Sequence, residues 1–153
     1  MNTVEYVKLG EVDLNDLIHL LNNKKIREHL IEHELFNTNT VNAWIKAKMK
    51  VDSTNGCRVR AIIFNNQLVG WCGIQLEDEK YEIAIVIDDK FWGLGKNVFY
   101  DIMRWAKALG HDEIFIHLLH TRPEYKFLRR ISTKVYESEH LGGKFTTYQL
   151  AVK

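Results

Sequence analysis

The chain has 153 residues, 46% of them apolar and 27% charged, which is enough for one domain with a sizeable core. Lys plus Arg is 21 and Asp plus Glu is 20, so the near-neutral balance lacks the basic excess that nucleic acid or an anionic membrane surface would call for. One proline and nine glycines leave little room for a flexible linker, and two cysteines without CxxC spacing make neither a zinc site nor a disulfide framework.

The first ten residues, MNTVEYVKLG, lack the basic stretch and apolar run of a signal peptide, and no apolar run approaches a membrane span. The expectation is a single domain over residues 1–153 in a reducing, cytoplasmic setting, with Cys72 a small buried hydrophobe. Thr3 to Leu9 alternates as a first strand. Asp13 caps a helix carried by Leu14, Leu17, Ile18 and Leu21, which Asn22-Asn23 ends. Lys24 to Leu35 reads as a second helical piece. Thr40 is expected to cap a third helix, with Val41, Trp44, Ile45 and Met49 on one face.

Beyond a loop at VDSTNG the period changes to two. A strand from Arg58 turns at Asn65-Asn66 into a second strand, Gln67 to Leu76. EDEK turns again into Tyr81 to Ile87, a nearly continuous apolar run. A helix from Asn97 to Leu109 ends at Gly110. Glu113 to Leu119 is the next strand, Pro123 starts a helix reaching about Thr133, and two last strands flank Gly142-Gly143. The order predicts an α/β domain of the α+β type, with a mixed sheet and helices on its faces.

The stretch between the apolar strand and the long helix is DDKFWGLGK, Asp88 to Lys96. A helix N-terminus presents unpaired amides and partial positive charge, and glycine lets a phosphate approach the backbone. Lys90 and Lys96 add charge. The bland alternative is a tight turn with two solvated lysines. No Gly-x-x-x-x-Gly-Lys-Ser/Thr is present, and Val98 stands where GxGxxG would need its third glycine.

Lys90-Phe91-Trp92-Gly93-Leu94-Gly95 resembles the Gln/Arg-x-x-Gly-x-Gly/Ala signature of the GNAT acetyltransferase superfamily. QLVGWCGIQL looks like that family's third strand, YEIAIVIDD like its fourth, and EIFIHLL follows in family order. NKKIREHL followed by VNAWIKAKM looks like the ribosomal-protein and aminoglycoside acetyltransferase branch. The resemblance implies a mostly antiparallel sheet of about six to seven strands, splayed between the fourth and fifth. It implies acetyl-CoA as cosubstrate, with no metal, and a primary amine as acceptor. Ile85, Val86 and Ile87 would pair with the pantetheine arm, and one amide near Ile85 would polarise the thioester carbonyl. Trp92, Gly93, Leu94, Gly95, Lys96 and Asn97, with Lys90 beside them, would hold the pyrophosphate. Homodimers are frequent in the family.

Direct attack by an amine needs a base but no protein nucleophile. Glu82 is the first candidate: it stands where many family members carry a catalytic Glu, and it is the only charge within Tyr81 to Ile87. The rival reading of Glu82 is a strand-end charge paired with a lysine. For the acid, PEYKFLRRISTK departs from the family. Arg129 or Arg130 falls near the usual Tyr, and the usual Gly-Phe is missing. Tyr125 lies nearby but off register, and His120, ending its strand, is a further acid or base candidate, although a lone His there is commonly structural. Glu28, Glu32 and Glu34 could attract a cationic amine or be a solvated face; Trp44 and Trp71 could line the pocket or pack in the core.

Two readings from other classes stand beside this one. HLIEH, His29 to His33, matches the HxxEH zinc-protease pattern, with a third ligand to be sought among Glu77, Glu79, Glu82 or Glu113. Alternatively the same fold binds acyl-CoA without turnover, or serves as an interaction module.

Overall fold

The computed structural model describes residues 3–28, 34–122, 125–140 and 142–153. Seven strands form one open sheet in the order β1-β2-β3-β4-β5-β7-β6. They are β1 (Val4–Val7), β2 (Arg58–Phe64), β3 (Gln67–Glu77), β4 (Lys80–Ile87), β5 (Glu113–Leu119), β6 (Lys134–His140) and β7 (Gly143–Ala151). Every neighbouring pair is antiparallel except β4 with β5. The fold class and the splay read from the sequence are both present. β4 and β5 pair only at Glu82↔Phe115 and Ile83↔Ile116, and then part company.

The meander β2-β3-β4 is built locally. Asn65 and Asn66 take φ of 53° and 63°, the left-handed pair that a two-residue hairpin needs. Asp78 and Glu79 do the same at 49° and 64°. A register shift between Ile62 and Ile63 leaves Val69 of β3 without a partner on β2, and Val69 turns into the core beside Ile62, which keeps the alternation of its own strand.

Each face of the sheet is covered. On one, α4 (Gly95–Ala108) lays Val98, Phe99, Ile102 and Ala106 over Ile74, Ile83, Ile87, Ile114 and Ile116, and α5 (Lys126–Ile131) adds Leu128. On the other, α1 (Leu14–Leu21), α2 (Lys24–Arg27) and α3 (Thr38–Asp52) pack Leu17, Leu21, Val41 and Ile45 against Val59, Ala61, Trp71 and Val86. Cys72 is fully buried on the α4 side, as expected.

Several boundaries differ from the sequence reading. β1 stops at Val7 because Leu9–Glu11 winds into a 3-10 turn. α2 ends at Arg27, and residues 34–37 are not helical. Phe36 is instead tied to the end of α1, its N–H donating to Asn22 Oδ1 at 2.8 Å and its carbonyl accepting from Asn22 Nδ2 at 3.0 Å. The cap of α3 is Asn37, not Thr40. Asn37 Oδ1 accepts from the Thr40 N–H at 2.9 Å, and Thr40 Oγ1 accepts from the Asn37 N–H at 2.8 Å, a reciprocal capping box. Met49, expected on the buried stripe, is 44% exposed. α5 begins at Lys126, and the last two strands, expected from the sequence over 135–138 and 146–152, span 134–140 and 143–151. His29, His33, Glu32 and Pro123 lie outside the described residues, so the HxxEH reading and the proline helix start find no structural counterpart to weigh.

Candidate active site

The Asp88–Lys96 segment is a short 3-10 coil, Asp89–Leu94, running straight into α4. Asp88 starts it by accepting from the Lys90 N–H at 3.1 Å. Trp92 Nε1 donates to the Ile87 carbonyl at 2.9 Å, pinning a half-exposed indole to the end of β4. No side chain caps α4: Leu94 holds the N-cap position without a side-chain hydrogen bond. Lys90, Lys96 and Asn97 are exposed around it, and Lys96 Nζ lies 4.9 Å over the Phe127 ring.

Gly93 and Gly95 have no internal reason to be glycine. A Cβ built on either meets nothing within 4 Å, and neither has a positive φ. Gly70 and Gly73 contrast with them, since a Cβ there would fall 2.2 Å from the Val86 carbonyl oxygen and 2.3 Å from that of Arg58. The space beside Gly93 and Gly95 opens outward, and a phosphate could enter it. Next to it, the β5-facing edge of β4 from Ala84 to Ile87 has no strand partner among the described residues, while its other edge pairs with β3 at Cys72↔Ile85, Trp71↔Val86 and Gly70↔Ile87. Half of the amides and carbonyls of that stretch face the gap. The residues fit an elongated amide-bearing ligand that ends in a pyrophosphate.

Glu82 lies at the narrow end of the gap. Its side chain is 16% exposed, so the reading of a solvent-facing strand end does not hold. Burial pushes its carboxyl up to about 8, helped by the charge of Glu77 and a hydrogen bond with it, and opposed by Lys48 and Gln75. Gln75, its register partner on β3, donates from Nε2 to Glu82 Oε1 at 3.5 Å. His117 Nε2 stands 3.7 Å from Oε2. Burial drives His117 down to about 4, with the charges of His140 and Lys80 adding to it and Asp78 opposing. At neutral pH the contact therefore joins a mostly protonated carboxyl to a neutral imidazole, not two ions.

His117 was missed from the sequence. It continues into a polar chain across the sheet: Nδ1 to Thr147 Oγ1 at 2.7 Å, Thr147 Oγ1 to Ser138 Oγ at 2.5 Å, and Ser138 Oγ to His140 Nε2 at 3.0 Å. Thr147 is fully buried, so its hydroxyl depends on these partners. The available signal was the alternation in EIFIHLL, which puts Phe115 and His117 opposite the core face of Ile114 and Ile116.

The same side of the sheet holds Trp44 and Trp71, edge to face at 5.4 Å and 79°. Lys48 Nζ rests 4.7 Å above Trp71 and donates to Gln75 Oε1. Glu28 and Glu34 are exposed.

A family profile described as "Acetyltransferase (GNAT) domain" matches residues 4–122. The chain belongs to the GNAT acetyltransferase family. No curated protein matches it by sequence. Among solved structures, the GNAT chain resembles the spermidine N-acetyltransferase of Vibrio cholerae in complex with CoA and spermine, at 15% identity, covering 99% of this chain and 95% of that one with a TM-score of 0.71. It resembles the PaiA N-acetyltransferase of Thermoplasma acidophilum in complex with coenzyme A at 16% identity, 97% and 99% coverage and a TM-score of 0.66. A ribosomal-protein-alanine N-acetyltransferase from Brucella melitensis matches at 12% identity, 97% and 99% coverage and 0.70. At these identities the likeness is one of fold.

The other candidate residues of this GNAT chain fall elsewhere. His120 is exposed, and its Nδ1 lies 3.1 Å from the Lys144 carbonyl, which can only accept, so Nδ1 carries the proton. Five residues past Phe115, it stands about 16 Å along β5 from the row of Glu82, and the structure does not bring the two together. The Tyr125 hydroxyl accepts from Arg122 at 2.8 Å, just before α5. His120 and Arg122 line a separate cleft of about 400 Å³ with Tyr136 and Glu137.

Proposed function

We propose that this chain transfers the acetyl group of acetyl-CoA to a primary amine. The observation that carries the reading is the pair Gly93 and Gly95, glycines without an internal steric need, at an uncapped helix start beside an unpaired strand edge. In this reading the backbone from Trp92 to Lys96 holds the pyrophosphate, the Gly95 N–H being already given to the Trp92 carbonyl, with Lys90, Lys96 and Asn97 around it. Ile85, Val86 and Ile87 pair with the pantetheine arm, and an amide near Ile85 polarises the thioester carbonyl. The arm enters from the α4 side and presents its acetyl group to the face carrying Glu82.

Glu82 is the base. A carboxyl held at about 8 is matched to taking a proton from an amine near neutral pH, far better than an ordinary surface carboxylate. His117 accepts or donates beside it and holds its orientation. Tyr125 is the candidate donor to the departing thiolate; His120, committed to the Lys144 carbonyl, serves to close β5 onto β7. The acceptor reaches Glu82 past Trp44, Trp71 and Gln75.

The deciding experiment is thermal unfolding with acetyl-CoA, with dephospho-CoA and ATP as comparisons, on the parent and on Gly93→Leu. A hundredfold excess over Kd adds about 2.7 kcal/mol, a midpoint rise of several degrees. Gly93→Leu should keep its own midpoint, because the added side chain meets nothing, and should lose most of the rise. Equal loss of fold and of binding would sink the cradle.

A further inference from the structure

Lys48 is the one lysine of α3 that the helix turns toward the sheet. It lies seven residues after Val41 and four after Trp44, on their face. Its Nζ contacts two places at once: the Trp71 ring at 4.7 Å and Gln75 Oε1. Register fixes what lies between. Trp71, Gly73 and Gln75 share one face of β3 and pair with Val86, Ala84 and Glu82 of β4. An amine touching both Trp71 and Gln75 stands over the row of Gly73 and Ala84, the two smallest residues there. Ala84 adjoins Ile85, where the acetyl-CoA reading puts the thioester carbonyl, and Glu82 is one row the other way. The ammonium is half-buried against two indoles and near the carboxyl groups of Glu82 and Glu77. Burial lowers its pKa, against the pull of those carboxylates, so more of it is free amine than on a surface lysine.

We propose that Lys48 is an acetylation site of this chain, modified in its own active site. The inference rests on the acetyl-CoA reading above. The neutral Nζ attacks the thioester carbonyl carbon; an N–C bond forms and the C–S bond breaks. Coenzyme A leaves as thiolate and takes the Tyr125 proton, which solvent replaces, and the proton lost from Nζ passes to the Glu82 side chain in its ionised form. The product amide no longer carries the cation that holds the Glu82 carboxyl down. Acetylation therefore raises the pH at which the base works and changes the charge that an incoming amine meets.

The test uses acetyl-CoA with an isotopic acetyl label and no acceptor, followed by intact mass and peptide mapping. Lys46 and Lys50, exposed on the same helix, serve as internal controls. Lys48 should label at least about tenfold faster than either, and about a hundredfold slower in Glu82→Gln. Lys48→Arg should abolish the fast label and keep the cation. Lys48→Gln, standing in for the acetylated side chain, should move the apparent pKa of turnover upward relative to Lys48→Arg. Labelling at Lys48 no faster than at Lys46 and Lys50, or equally fast in Glu82→Gln, overturns the proposal. The midpoint with acetyl-CoA is measured on the same preparation. No rise removes the acetyl-CoA reading and this inference with it; a rise with Lys48 unlabelled overturns this inference alone.

Discussion

The two faces of β4 have opposite tasks. Ile83, Ile85 and Ile87 look toward α4 and the apolar core, with Ile83 4% and Ile87 6% exposed. Glu82, Ala84 and Val86 look toward α3, where a carboxyl, two histidines, a lysine and two indoles share the space. The α4 face is satisfied by burial alone. The α3 face carries polar groups whose burial costs stability, and every shift found there has burial as its first cause. Neighbouring residues on one strand should therefore answer differently to substitution.

Ile83→Ala should be the costliest change. Removing a buried branched side chain beneath α4 loses about 3–4 kcal/mol, read as a lower denaturant midpoint, while acetyl-CoA binding per folded molecule survives. One residue away, Glu82→Gln should reverse the pattern. Turnover falls about a hundredfold, or about 2.7 kcal/mol of barrier, with the acetyl-CoA midpoint shift intact. Parent turnover should climb as pH rises through about 8, where the carboxyl ionises, and the variant should lack that limb. A parent profile that is flat across pH 8 would remove Glu82 as the base.

Stability should show the same group with the opposite sign. The folded carboxyl, at about 8, holds its proton above the ordinary carboxylate range, so the folded state binds more protons than the unfolded one between about 4.5 and 8. Parent stability then falls as pH rises across that window. Glu82→Gln matches the parent near pH 4 and exceeds it above pH 8, by about 2–4 kcal/mol. The smallest effect belongs to Asn37→Ala. Loss of the capping box costs about 1 kcal/mol and loosens α3, the helix carrying Trp44 and Lys48, without touching the site itself. A midpoint change with unaltered turnover would show that the α3 face tolerates a softer frame.

What was legible in the sequence was local. The asparagine pair at 65–66, the alternation of β2 and β3, Asp13 as the cap of α1 and the glycine segment before α4 each announce themselves within ten residues. The cap of α3 was misread because Asn37 and Thr40 are both good capping residues, and which of them leads depends on where the chain stops being extended. What escaped was long-range. That Glu82 meets His117 depends on the parallel register Glu82↔Phe115, which no local pattern contains. Lys48 sat in plain view at helical spacing from Val41 and Trp44, but a lysine in an apolar stripe is read as its polar edge until the strand beneath it is known. Met49 took its place in the expectation and is exposed.

The two residue pairs that join β4 to β5 also have a mechanical meaning. They weld two plates, β1-β2-β3-β4 and β5-β7-β6, along a seam only two rungs long. Glu82 stands on one of those rungs. If the plates tilt to admit an arm, displacement grows with distance from the seam: it is greatest at Ile87 and Leu119 and least at Glu82. The proposed base thus rides at the fulcrum of the sheet, where the geometry that sets its proton affinity is the last to change.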